Sequence, residues 1–223
     1  MSKFWKYFLI GFGVFLCMLF FMWHGLLGFM PSLSELENPD TALATEVISS
    51  DGKIIGKYYS ENRSNTTYEH LPACLTNALL ATEDIRFYDH SGIDMKAIGR
   101  AIFGVLTFNK KGGGSTITQQ LAKNLFPRKR VNKIELVFRK FKELIMAAKL
   151  ERAYTKNEIM ALYLSTVEFS DNAFGVNNAS RTYFNKPADS LKVEEAAILV
   201  GMLKAPYTYN PRVHPENAKA RRN

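Results

Sequence analysis

With 223 residues, 47% of them hydrophobic, the chain is long enough to bury one sizeable core and too apolar to be an intrinsically disordered protein. A formal net charge of +8 directs attention to anionic partners, and two cysteines are too few for a disulfide scaffold. Cys17 falls in an apolar stretch and Cys74 far beyond it, so pairing is not expected. Neither they nor His24, His70, His90 and His214 carry the spacing of a metal site.

The first predicted element is a membrane anchor over residues 8–30. Phe8 to Met30 carries no acidic or basic residue except His24, and as a helix it extends about 35 Å, enough to cross the hydrocarbon of a bilayer. Lys3 and Lys6 precede it and Glu35, Glu37 and Asp40 follow, which places residues 1–7 in the cytoplasm and the bulk of the chain on the outer, periplasmic side. A cleaved signal peptide fits less well, because the apolar run exceeds a normal signal core and lacks a small-x-small cleavage site. Residues 31–70 then read as stalk and β-hairpin: Pro31 to Asp40 is acidic and turn-rich, and Thr45 to Ser50 and Lys53 to Tyr59 alternate around Asp51-Gly52.

From Leu71 the periodicity turns helical, and 71–223 reads as one mainly α domain. Leu75, Ala78, Leu79 and Thr82 share a face of a helix that begins near Pro72 and ends between Asp84 and Phe87. Asn132 to Arg152 is a long amphipathic helix with Ile134, Val137, Phe138, Phe141, Leu144, Ile145 and Ala148 as its apolar stripe. Thr155 to Glu158 matches a capping box opening a helix to about Ser165, and a last helix runs from Ser190 to about Lys204 before Pro206. Ala101 to Phe108 is apolar but too short to span a bilayer; it is either a membrane-touching segment or a buried helix end.

The run Gly112 to Asn124 joins a glycine-rich loop to a helix start. Gly112, Gly113 and Gly114 allow close approach and unusual dihedrals, Ser115 can cap the helix, and the free N–H groups of the first turn suit an anion. Gln119, Gln120, Lys123 and Asn124 follow at helical spacing and offer hydrogen bonds and a cation to a polyoxygenated ligand. Between Lys110 and Arg152 there are twelve Lys or Arg against three Glu. Beside a membrane, such a segment points to a lipid-linked phosphate rather than nucleic acid; the plain alternative is a solvated basic face.

Two carboxylates stand out. Glu83, followed by Asp84, closes an apolar helix, where partial burial makes a carboxylate a better proton acceptor than a fully solvated one. Glu143 shares a helix face with Arg139 and Lys140; that is either an exposed ion pair worth about 0.3 to 0.5 kcal/mol or a charged site that receives a leaving diphosphate.

The segments ATEDIRFYDHSGID (81–94), GGGSTITQQLAKN (112–124), RKFKE (139–143), TKNEIMALYL (155–164) and RTYFNKPADSLKVEEAAILVGMLKAPYTYNP (181–211) resemble, in order and spacing, the peptidoglycan glycosyltransferases, monofunctional or joined to class A penicillin-binding proteins. The resemblance covers about residues 40–223. It implies a mainly α, lysozyme-like domain that polymerises lipid II outside the cytoplasmic membrane, with partners among cell-wall synthesis proteins and no nucleic acid. By the same resemblance Glu83 is the catalytic base, and Glu143, the second catalytic carboxylate, positions the cations and the sugar. Lys123, Arg139 and Lys140 receive the diphosphate, and Ser115, Thr116, Gln119, Gln120 and Asn124 line the cleft. Asp84 orients Glu83 or supports a divalent ion such as Mg2+ or Mn2+, no cofactor being required by the sequence itself, and Phe87 is packing.

Two places depart from the family pattern: Ser165 stands where Asn is common, and Glu168-Phe169-Ser170 where Tyr-Phe-Gly is frequent. No transpeptidase motif is present, since the only Ser-x-x-Lys, at Ser50 to Lys53, straddles the predicted turn and no Lys-Thr-Gly follows. Asn223 lies inside what resembles a continuing helix, so the chain is expected to be a short monofunctional form or a piece of a bifunctional protein. The competing functions are a lysozyme-like lytic enzyme, which also needs a single glutamate in a helical domain, and a non-catalytic membrane scaffold.

Overall fold

A computed structural model of the chain describes residues 3–23, 45–50, 54–58, 66–107, 113–125 and 133–223. Helix α1 spans Lys3–Trp23, and strands β1 (Thr45–Ile48) and β2 (Ile54–Tyr58) pair antiparallel with an irregularity at Val47/Ile48. The predicted turn and stalk, 51–53 and 31–40, lie outside the described residues. The body is helical: α2 (Ala73–Glu83), α3 (Met95–Leu106), α4 (Ile117–Leu125), α5 (Lys133–Ala153), α6 (Lys156–Thr166), α7 (Val176–Phe184), α8 (Val193–Met202) and α9 (Pro215–Arg222). Short 3-10 turns occur at Tyr68–His70, Phe87–Asp89 and Ala188–Ser190. This mainly α architecture fits the lysozyme-like expectation.

Helix α4 is buried along one face. It packs on α5 and α6, while α2 packs on α8 and α9 on α8. Its Ile117, Leu121 and Ala122 are fully buried with Leu75 and Leu79 of α2, Leu150 of α5, and Ile159, Met160 and Tyr163 of α6 in one apolar cluster. A nine-residue helix has little stability of its own, so burial of that face is what holds α4 in place.

The expected helix ends shift for local reasons. Helix α2 stops at Glu83 because Asp84 leaves the helical region at φ −157° and ψ 78°. Of its predicted face Leu75 and Leu79 are buried and Ala78 half-buried, but Thr82, in the last turn, is exposed. The capping box at Thr155 and Glu158 is formed, with Glu158 Oε2 accepting the Thr155 N–H at 2.7 Å. The last predicted helix starts later, at Val193, after the 3-10 turn at Ala188–Ser190.

The apolar stripe of α5 is corrected at its N-terminal half. Val137 is 58% and Phe138 40% exposed, as is their neighbour Leu136 at 53%, whereas Met146, Ala147 and Leu150 are buried. The core meets only the C-terminal half of this 21-residue helix, so the stripe runs out beyond the body. In α3, Phe103 is exposed too, while residue 108 of the 101–108 segment lies outside the described residues.

Helix α1 exposes Phe4, Phe8, Ile10, Val14 and Phe20 around its circumference. Among the described residues no helix is long and apolar enough to cross a membrane. The helix covers sixteen residues of the predicted anchor, 8–23, and residues 24–30 lie outside the description.

Candidate active site

The end of α2, the start of α4 and the face of α5 that carries Lys140 meet around the side chains that the sequence singled out. Glu83, half-buried in the last residue of α2, accepts a hydrogen bond from Gln120 Nε2 at 2.7 Å. The other end of that amide, Oε1, accepts from the Tyr163 hydroxyl of α6 at 2.9 Å. Tyr163 is 1% exposed, and burial, with the Glu83 charge, pushes its phenol far above the ordinary tyrosine range.

One residue earlier on α4, Gln119 leads to the cationic side of the site. Lys140 Nζ donates to Gln119 Oε1 at 3.1 Å, to Ser115 Oγ at 3.0 Å and to Glu143 Oε2 at 3.2 Å. The Glu143 side chain is 13% exposed and that of Lys140 45%, so the ammonium faces the opening while its carboxylate partner sits deeper. Arg139 is half-buried beside Lys140, Lys123 is exposed in the last turn of α4, and Asn124 is half-buried next to it. The carboxylate at 83 and the cation at 140 thus each bond a side chain of the same short helix, Gln120 and Gln119 respectively.

The helix start differs from the expectation in three respects. Thr116, not Ser115, caps α4: its Oγ1 accepts the Gln119 N–H at 3.2 Å and donates to Gly92 O at 2.7 Å. The anion at the N-terminus of α4 is the protein's own Asp84, whose Oδ2 accepts the Ile117 N–H at 3.1 Å, where the helix dipole favours negative charge. Finally, Gly113 and Gly114 do not take positive φ; Gly114 serves close approach instead, since a Cβ there would stand 3.2 Å from Ala101 Cβ.

Asp84 is fully engaged. His90 Nε2 lies 3.1 and 3.0 Å from its two oxygens, and the Gly92 N–H donates to His90 Nδ1 at 3.2 Å, which assigns the ring its Nε2–H tautomer. The loop is further held by Gln119 Nε2, which donates to Gly92 O at 3.1 Å, and by Lys156, whose Nζ donates to His90 O and to Glu151 Oε1 at 2.8 Å and lies 4.4 Å from the centre of the Phe87 ring. Phe87 is fully buried, as packing. Among the described residues no group of three or more His, Cys, Asp or Glu could hold a metal ion. Asp84 has no second carboxylate beside it in these contacts.

The ordered segments that build this site are also what relates the chain to known proteins: a family model described as Transglycosylase matches residues 51–223. The chain belongs to the transglycosylase family. Penicillin-binding protein 1A of Neisseria flavescens is 40% identical to this transglycosylase over 193 residues, 86% of this chain and 24% of the relative. Penicillin-binding protein 1F of Bacillus subtilis (strain 168) is 40% identical over 181 residues, 81% of this chain and 25% of the relative. The chain therefore spans about a quarter of the length of these relatives, and the resemblance to the glycosyltransferase part of class A penicillin-binding proteins holds. A crystal structure of Penicillin-Binding Protein 1A from Haemophilus influenzae aligns over 82% of this chain and 17% of its own at 22% identity, with a TM-score of 0.39, too low to equate the folds.

Two residues of this candidate site escaped the sequence reading. Tyr163 sits on the buried face of α6 with Ile159 and Met160, and a tyrosine on such a face needs a partner for its hydroxyl, which is the signal that marks it. His90 carried no ligand spacing, yet it follows the Glu83-Asp84 pair within one loop.

Proposed function

We propose that this domain polymerises lipid II into β-1,4-linked glycan strands. In this reading Glu83 takes the proton from the 4-hydroxyl of the acceptor's N-acetylglucosamine as that oxygen attacks C1 of the donor's N-acetylmuramic acid. The C1–O bond to the lipid diphosphate breaks on the opposite side, inverting the anomeric centre, and undecaprenyl diphosphate departs with the bonding pair. The observation that supports the reading is that Glu83 and Lys140 bond adjacent residues of α4, Gln120 and Gln119: a carboxylate that can receive a proton and a cation that can receive a phosphate meet the same short helix.

Each side chain has a physical task. Lys140, with Arg139 and Lys123, offsets charge that develops on the leaving diphosphate, a transition-state effect that is large where water is partly excluded. Glu143 holds the Lys140 ammonium in place at 3.2 Å. Ser115 and Asn124, at the cleft's edge, offer hydrogen bonds to sugar and phosphate oxygens. A divalent ion, where one takes part, would bind the diphosphate together with the cleft carboxylates, since Mg2+ commonly joins one or two carboxylates to phosphate oxygens.

The site is also placed for a substrate whose tail stays in lipid. Phe103 on α3 and Val137 and Phe138 on α5 are exposed, and α1 is apolar around its circumference, as suits a helix surrounded by hydrocarbon rather than water. We read residues 8–30 as the anchor of a single-pass protein of the cytoplasmic membrane, with the N-terminus inside and the domain outside. The test is a gel of products from labelled lipid II: wild type forms long strands and Glu83→Gln forms none while still folding. Shortening of preformed strands would indicate a lytic enzyme, and activity retained by Glu83→Gln would indicate a scaffold; either overturns the proposal.

A further inference from the structure

We propose that Tyr163 is a positioning residue for Glu83: its hydroxyl fixes the Gln120 amide so that the N–H end, not the oxygen, meets the carboxylate. The inference rests on the base assignment above and goes beyond it. A glutamine amide has a donor end and an acceptor end of nearly the same shape, and only its partners decide which way it points. Here Tyr163 Oη lies 2.9 Å from Gln120 Oε1, and Gln120 Nε2 lies 2.7 Å from Glu83 Oε2. Because the phenol keeps its proton throughout the working pH range, it remains a donor and demands the oxygen end of the amide. The nitrogen is then delivered to Glu83, occupying Oε2 and leaving Oε1 for the incoming sugar hydroxyl.

Removing the phenolic oxygen frees the amide to turn. Its oxygen then faces the carboxylate, or the carboxylate swings away to water. Either change withdraws the hydrogen bond that holds the carboxylate toward the incoming hydroxyl. Asp84, its neighbour, is bound by His90 and the Ile117 N–H, and Lys140 of α5 reaches Gln119, Ser115 and Glu143. Tyr163 is buried and makes no contact with the open cleft, so it acts through Gln120 and is not itself a catalytic group.

The experiment is kcat and KM for the full chain with lipid II, for wild type, Tyr163→Phe, Gln120→Met, the double variant Tyr163→Phe/Gln120→Met and Glu83→Gln, each checked for fold by circular dichroism. Tyr163→Phe is expected to lower kcat about tenfold with KM within about twofold, the loss of one charge-assisted hydrogen bond. Gln120→Met, which keeps the length and loses the donor, should lower kcat at least as much, and the double variant should lose no more than Gln120→Met alone, because Tyr163 acts only through that amide. Additive losses in the double variant, or an unchanged kcat in either folded single variant, overturn the proposal; if Tyr163→Phe does not fold, Gln120→Met decides. A wild type that makes no polymer, or a Glu83→Gln that still does, refutes the base assignment instead, so the two failures are distinguishable.

Discussion

The Asp84 carboxylate accepts the Ile117 N–H at 3.1 Å while His90 Nε2 lies within 3.1 Å of both its oxygens, so one buried side chain ties the end of α2 to the start of α4. Its neighbour Glu83 and the partner of Glu83, Gln120, sit on those same two elements. Asp84→Ala strands two donors in the interior and is expected to cost about 2 to 4 kcal/mol, lowering the melting temperature by roughly 5 to 15 °C. Asp84→Asn, which keeps an acceptor oxygen, should lose less. Thermal melts recorded beside the polymerisation rate decide the matter: a dead Asp84→Asn with an unshifted melt would make Asp84 a chemical group rather than a brace.

Lys140 is the residue whose loss should separate chemistry from stability. Its side chain is 45% exposed and one of its acceptors, Ser115, is exposed, so only the buried Gln119 Oε1 and the largely buried Glu143 lose a donor, the Gln119 Nε2 bond to Gly92 being untouched. Lys140→Met should therefore lower the melt by only about 2 to 8 °C, through the unpaired Gln119 oxygen, and reduce kcat/KM by about 100-fold or more, the scale of removing one donor aimed at developing charge. Retention of more than a third of wild-type kcat/KM would remove Lys140 from the diphosphate site.

What was legible in the sequence follows from what is local. The Thr155 capping box and the face shared by Arg139, Lys140 and Glu143 depend on residues three or four apart, and helical geometry brings those together by itself, although the ion pair the structure describes is Lys140 with Glu143, where the spacing suggested Arg139 with Glu143. The anion at the start of α4 was not legible, because Asp84 is 33 residues from Ile117 and only packing reveals that the protein fills that site with its own carboxylate. Tyr163 was hidden in the same way, 43 residues from Gln120. Val137 and Phe138 failed for a different reason: periodicity marks an apolar face but cannot tell whether the body of the fold reaches far enough to cover it.

The departure at Ser170 has a backbone consequence. Ser170, Asp171 and Asn172 all take positive φ, at 73°, 51° and 55°, and Ser170 stands where the family often has glycine. An L-residue in the left-handed region is strained by about 1 to 2 kcal/mol, against about 0.5 to 1 kcal/mol for the extra freedom a glycine loses on folding and a 3.3 Å bond from Asn210 to Ser170 Oγ. Ser170→Gly is thus expected to stabilise by about 0.5 kcal/mol in urea unfolding, and a clear destabilisation would show that the serine's bond outweighs the strain.

Two glycines mark the opposite case. Gly175 has φ 82° and a Cβ there would stand 2.5 Å from Ser165 O; Gly92 has φ 83° and its Cβ would stand 3.0 Å from Ala147 O. Both obstacles are backbone and cannot swing aside. Gly175→Ala should be the more damaging, by more than about 2 kcal/mol, with Gly92→Ala milder but still destabilising. Equal melts for the two variants would contradict the ranking, which rests only on the half-ångström difference in clearance.

Acid should act on the domain partly through Asp94. Its burial alone would raise the carboxyl, but the Ala97 N–H at 2.9 Å, the Arg86 guanidinium at 2.6 Å and His90 outweigh that and hold it below the ordinary aspartate value. A carboxyl depressed in the folded state contributes stability that is fully present above its unfolded value, close to pH 4, and is lost as the pH falls through the lower folded value. Urea unfolding of wild type and Asp94→Asn should therefore differ most at neutral pH, with wild type the more stable, and the gap should close below about pH 4 as wild type alone takes up that proton. A gap that stays constant down to pH 2 would mean that Asp94 acts through shape and neutral hydrogen bonds, not through its charge against Arg86.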